Sequence, residues 1–173
     1  MGEEVLKDFA GKESLKIVVV EEFIERGSVK ERAQGLYEVL ADNAEIIPIQ
    51  RSNDKTELSM FLSNVLVRTK ADVVVALCKE STDALCNVEP RAVSDKKVYG
   101  IGNTAAIVAA LEKGKIEKLV FQNEFNIGYM GVKALVQQME GVTQQTEEID
   151  YYCVGGDEVH ETQYERLLFP IVE

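Results

Sequence analysis

Gly114-Lys-Ile-Glu-Lys-Leu-Val-Phe-Gln122-Asn-Glu-Phe-Asn-Ile-Gly128-Tyr-Met-Gly-Val-Lys-Ala-Leu135 reads as a short strand that ends in a glutamine, a tight Asn-Glu helix start, and a helix opened by glycines. The strand spans Lys118 to Gln122 and the helix Glu124 to Glu140. A strand feeding a helix through so short a turn is the repeating unit of a parallel α/β sheet.

The same alternation runs through the rest of the chain. Glu3 to Phe9 reads as a leading helix ending near Gly11, and Leu15-Lys-Ile-Val-Val-Val20 is a β-branched run short enough for a buried central strand. Ser28 and Glu31 are spaced as a capping box, and Val29, Ala33, Leu36, Tyr37 and Leu40 follow at helical spacing. In Glu45-Ile-Ile-Pro-Ile-Gln50, Pro48 lacks a backbone donor, which places that strand at a sheet edge.

Asp54 and Glu57 repeat the capping signature before the stripe Leu58, Phe61, Leu62, Val65 and Leu66. Asp72-Val-Val-Val-Ala-Leu77 is a second buried strand, with a short helix near Thr82 to Cys86. Lys97-Val-Tyr-Gly-Ile101 is another strand, and Thr104 caps a helix from Ala105 to Lys113. A strand at Ile149 to Val154 and a helical tail between Glu158 and Leu168 complete the series. No linker rich in Pro, Gly or Ser divides the chain. The expectation is one doubly wound, Rossmann-like parallel sheet flanked by helices, a single α/β lobe over residues 1–173.

Composition excludes several functions. The net charge of −11 at pH 7 opposes contact with nucleic acid or anionic lipid, which need clustered Lys and Arg. No apolar run reaches the roughly 18 residues that a spanning helix requires. Cys78, Cys86 and Cys153 lack CxxC spacing and read as free, buried thiols. His160, the single histidine, leaves a Ser-His-Asp or Cys-His arrangement one candidate base in a charged tail, so the chain reads as no enzyme. No phosphate-cradling glycine motif follows a strand, no cofactor is called for, and a zinc site lacks ligands. Gly155-Gly-Asp-Glu-Val159 resembles the diguanylate cyclase signature, but Val159 stands where that pattern wants Phe and only 14 residues follow; it reads as a turn after a strand.

In a doubly wound sheet, ligands sit outside the carboxyl ends of the strands. Polar groups gather there in Ser28 to Arg32, Cys78-Lys79-Glu80, Gly102-Asn103-Thr104 and Gln122-Asn123. These stretches resemble those of the type I periplasmic sugar-binding proteins and the related lactose-repressor-type regulators. Ser28-Val-Lys-Glu-Arg32-Ala-Gln-Gly35-Leu36 is similar to the family's Ser-x-x-x-Arg-x-x-Gly-aromatic helix start, whose Arg hydrogen-bonds sugar hydroxyls. Gln122 matches the crossover Gln that reaches the ligand. Cys78-Lys79-Glu80 stands where Asn-Asp-Glu is usual, and Gly102-Asn103 where the family places an Asp that grips paired hydroxyls. Leu167-Leu-Phe-Pro170 looks like the tail of some Gram-positive sugar-binding lipoproteins.

The resemblance implies a small-molecule ligand, a carbohydrate, bound without chemistry, with Arg32, Cys78, Asn103 and Gln122 as lining residues. Buried hydroxyls left unpaired cost about 1–3 kcal/mol each. Cys78 and Gly102 therefore imply either an atypical ligand or a site no longer in use. A transport receptor of the ABC type is the leading reading, and the effector and dimerisation domain of a regulator is the alternative. The first implies an extracytoplasmic lipoprotein, the second a cytoplasmic protein.

In this family two lobes are joined by crossovers, and the resemblance here begins at the first helix of the second lobe. It implies that residues 124–155, the crossover helix and its strand, belong to a missing first lobe. Phe125, Tyr129, Val132, Val136 and Met139 share one face of that helix, and Ile127, Met130 and Leu135 add apolar surface elsewhere. Such a helix expects burial on more than one side, against its own sheet, a second copy in a homodimer, or the absent lobe.

Overall fold

A computed structural model describes residues 1–51, 56–142 and 148–169. Asp54 and Pro170, which carried two of the expectations above, lie outside the described residues. In chain order the elements are α1 (Gly2–Asp8), β1 (Leu15–Val20), α2 (Gly27–Leu40), β2 (Ala44–Ile49), α3 (Leu58–Leu66), β3 (Val73–Ala76) and α4 (Lys79–Cys86). Then follow α5 (Pro90–Val93), β4 (Lys97–Ile101), α6 (Ala105–Glu112), β5 (Lys118–Gln122), α7 (Glu124–Met139), β6 (Tyr151–Gly155) and α8 (Thr162–Leu168).

The strands form one six-stranded sheet in the order β2-β1-β3-β4-β5-β6. Side chains alternate across a strand, so the unbroken valine runs feed two cores at once. Val18, Val20, Val74 and Ala76 join one cluster with Leu58, Leu62 and Leu66 of α3 and with Ile107 and Leu111 of α6. Ile17, Val19, Val73 and Val75 join the other with Val29, Ala33, Leu36 and Leu40 of α2. Full burial of one such side chain is worth roughly 1.5–3 kcal/mol. Both faces of β1 and β3 are therefore needed, and the doubly wound expectation holds. Pro48 does fall on an edge strand, β2, opposite Val19.

Local signals held where the cap itself makes the bond. Thr104 Oγ1 accepts from the Ile107 N–H at 3.3 Å and starts α6. At α3 the signature is corrected: Glu57, read as the last residue of a capping box, is itself the N-cap, and its carboxylate accepts from the N–H groups of Ser59 and Met60 at 3.2 and 3.3 Å. The Ser28–Glu31 capping box is corrected. Turns closed by Ile24 N–H to Glu21 O and Arg26 N–H to Phe23 O bring the backbone into helical register early. Arg26 is then the N-cap, without a side-chain cap, and Ser28 already lies inside α2.

The C-terminal part departs most from expectation. Strands β1 to β5 are parallel, but β6 runs antiparallel to β5, with Gln122 opposite Tyr151 and Lys118 opposite Gly155. The strand expected in a missing lobe thus completes this sheet. It begins at the end of the sheet where β5 finishes, with Tyr151 beside Gln122. Helix α7 does not fold back onto the sheet: none of its described residues is buried, and Phe125 and Met139 are 84% and 87% exposed. Residues 156–160 form the turn expected after β6. All three cysteines are free, Cys78 buried and the other two half-buried. No helix among the described residues is long and apolar enough to cross a membrane.

Candidate functional site

The carboxyl ends of β1, β3, β4 and β5 lie side by side, because parallel strands paired in register end at one edge. Each then hands the chain to a helix. This edge opens into a cavity of about 660 Å³, within the roughly 300–1,000 Å³ usual for small-molecule pockets. Arg32, Cys78, Asn103 and Gln122 all line it. Four residues separated along the chain are thus brought to one wall system by the topology.

Each is held by its element. Arg32, on the second turn of α2, donates from Nη1 to the Leu77 carbonyl at 3.1 Å, which draws its fork to the end of β3. Cys78 is the N-cap of α4, without a side-chain bond to that helix's N–H groups. Its Sγ lies 3.2 Å from Ser81 Oγ. Burial pushes the Cys78 thiol above its ordinary value, so it lines the cavity as a neutral group. Gln122 closes β5 and donates from Nε2 to the Ile149 carbonyl at 3.2 Å, tying β5 to the chain that enters β6. Asn103 is half-buried beside Gly102.

Gly102 has φ +124, and a Cβ there would stand 3.1 Å from Ile107 Cδ1 and 3.2 Å from Lys79 Cγ. The backbone and its neighbours explain why no larger residue stands at the end of β4.

Two residues of this edge, Thr82 and Arg26, carried no sequence signal. Thr82 is fully buried; its hydroxyl lies 3.0 Å from Cys78 O and 2.9 Å from Ile101 O, and accepts from the Ile101 N–H at 2.9 Å. It fastens the start of α4 to the end of β4. Thr104 adds a second tie, donating to Asp83 Oδ1 at 2.9 Å. Arg26 and Glu80 both line the cavity, joined by an ion pair at 2.5 Å. Residues 1–3 of the chain and Tyr151 complete the rim. A threonine inside a helix and a charged loop residue look the same in sequence whether or not they bind across the fold. Among the described residues no group of His, Cys, Asp or Glu could hold a metal ion.

An open α/β lobe with a preformed cavity at its strand ends is the architecture of a ligand-binding domain. The chain belongs to the periplasmic binding protein domain family, whose match covers residues 1–143. It is similar to an ABC transporter solute binding protein from Bacillus halodurans C-125 solved with bound myo-inositol, at 25% identity and a TM-score of 0.80. That likeness covers 95% of this chain and 58% of the other.

A carbohydrate transporter solute binding protein from Agrobacterium radiobacter, in complex with D-arabinose, shares the fold at a TM-score of 0.82 and 18% identity, over 95% of this chain and 59% of that one. So does an ABC transporter solute binding protein from Agrobacterium vitis bound with α-D-tagatopyranose, at 0.79 and 17%, over 98% and 59%. The chain spans less than two thirds of the length of each of these structures. No curated protein matches it.

Proposed function

We propose that this chain is one lobe of a carbohydrate receptor of an ABC-type transporter, holding a small sugar-like solute by non-covalent contacts alone. The observation that carries the reading is the convergence of Arg32, Cys78, Asn103 and Gln122 on one cavity at the carboxyl edge of the sheet. Family membership and the likeness to a myo-inositol-bound receptor support it. Arg32 and Gln122 are the hydrogen-bonding contacts, and Cys78 and Asn103 shape the wall. The acidic net charge of −11 opposes direct contact of this segment with nucleic acid.

The exposed apolar face of α7 fits the same reading. In the intact receptor it packs on a second lobe, and hinge closure of the two lobes encloses the solute. In this chain, half a cleft supplies half the contacts, so affinity is weak.

Amide NMR titration of the chain with myo-inositol, D-arabinose and D-tagatose tests the reading, since it registers millimolar binding. Saturable shifts around Arg32, Cys78, Asn103 and Gln122, lost in Arg32→Ala and Gln122→Ala, are expected. Silence with every sugar would remove the carbohydrate assignment.

A further inference from the structure

The end of β4 offers no carboxylate: Gly102 holds a positive φ of +124 that strains any side chain, and its neighbours leave a Cβ little room. Another acid lines the same cavity. Glu80, in the first turn of α4, accepts from Arg26 Nη1 at 2.5 Å. Their side chains are 43% and 47% exposed, and an exposed pair of this kind contributes only about 0–1 kcal/mol to stability. Stability does not account for the care with which it is held.

That care shows in Phe23. Among the described residues it is the one non-glycine with positive φ, at 64°. A bulky side chain in that region is strained by about 1–3 kcal/mol, and such strain gathers at ligand clamps. The result is a ring placed 4.1 Å beneath the Arg26 guanidinium. Phe23 thus seats Arg26, and Arg26 orients Glu80. The pair presents a carboxylate acceptor beside guanidinium donors, which two adjacent hydroxyls complement because each both donates and accepts.

Charge narrows the ligand further. The Lys, Arg and Glu side chains lining the cavity are Arg26, Arg32 and Lys79 against Glu3, Glu80 and Glu124, a balance of three and three. A charged ligand would lose hydration there without a spare counter-charge. We infer that the Arg26–Glu80 pair is the specificity-determining grip of this cavity and holds two adjacent hydroxyls of a neutral polyol. This rests on the cavity being the ligand site proposed above. The hydrogen bond from Arg26 holds the Glu80 carboxyl below its ordinary value, so it stays an acceptor at neutral pH.

The test is the amide NMR titration of the chain with myo-inositol, D-glucose and D-glucuronate, repeated in Glu80→Gln and Glu80→Asp. Glu80→Gln keeps an acceptor for Arg26 and the size of the side chain, so folding is preserved and only the charge is lost. Myo-inositol is expected to bind the wild type, to weaken tenfold or more in Glu80→Gln, and to recover in part in Glu80→Asp. D-glucuronate is expected to bind no better than D-glucose. Unchanged affinity for myo-inositol in Glu80→Gln overturns the grip while leaving the receptor reading intact. Tighter binding of D-glucuronate than of D-glucose overturns the neutral-ligand assignment. Failure of all three to bind the wild type overturns this inference together with the carbohydrate reading.

Discussion

Gly100 and Thr82 are in such close apposition that a Cβ on residue 100 would lie 2.4 Å from Thr82 Cγ2. Strand β4 and helix α4 meet there with only the Thr82 side chain between them, and this approach lets its hydroxyl reach the Ile101 backbone. Gly100→Ala is expected to destabilise the chain by about 1–3 kcal/mol through overpacking. Thr82→Ser removes the clashing methyl and keeps the hydroxyl, so the double variant should recover part of the loss. Urea unfolding of the three variants measures this, and strict additivity would show that the two positions do not press on one another.

The base of the sheet carries a pH-sensitive cluster. Lys118 Nζ donates to Glu4 Oε2 at 2.5 Å and to Asp8 Oδ1 at 2.9 Å, while Tyr99 Oη donates to Asp8 Oδ2 at 2.7 Å. The Lys118 hydrogen bond holds Glu4 below its ordinary value of 4.5. At Asp8, burial pushes upward, but the bonds from Lys118 and Tyr99 outweigh it and the carboxyl sits below 3.8. Both groups are depressed in the folded state. Their contribution is therefore complete above the unfolded values and is lost as pH falls through the folded ones. The urea midpoint should decline as pH drops below about 4.5. Lys118→Met should lower the midpoint near neutrality and flatten that decline. Equal slopes in the two proteins would remove Lys118 as the cause.

The thiols are expected to be poor nucleophiles. Burial raises all three, Cys86 to about 11, so little thiolate exists near neutral pH. Titration with a disulfide reagent at pH 8 should proceed slowly in the folded chain, with Cys78 last, and become complete within minutes in urea. Rapid labelling of Cys78 in the native chain would contradict its burial at the cavity wall.

Helix α7 should behave as an unpartnered apolar face. Tyr129, Val132 and Leu135 are 59%, 63% and 62% exposed. Exposed patches of this kind associate. Concentration-dependent light scattering and binding of an apolar dye are expected, and Val132→Glu with Leu135→Glu should suppress both without lowering the urea midpoint. A fall in the midpoint would mean that the helix face packs within the chain.

The strands were legible nearly to the residue where an apolar run is short and bounded by turns, as at Leu15–Val20 and Lys118–Gln122. Thr104 was legible as a cap because its bond reaches only three residues along the chain. Ser28 misled because the turns before it, rather than its own hydroxyl, determine where α2 begins. Of the cavity, Arg32 and Gln122 were marked by motif, whereas Arg26 reaches Glu80 and Thr82 reaches Ile101, partners distant in sequence, and neither leaves a local pattern.

From the amino-acid order alone came the alternation of strands and helices, the edge position of Pro48, the apolar face of α7 and the polar strand ends. All of these rest on periodicity and on short-range sterics. The tertiary structure alone decided that β6 joins β5 antiparallel, that Arg26 reaches Glu80, and that four separated strand ends share one cavity. Those are contacts between segments far apart in the chain, and their geometry exists only once the sheet has brought the segments together.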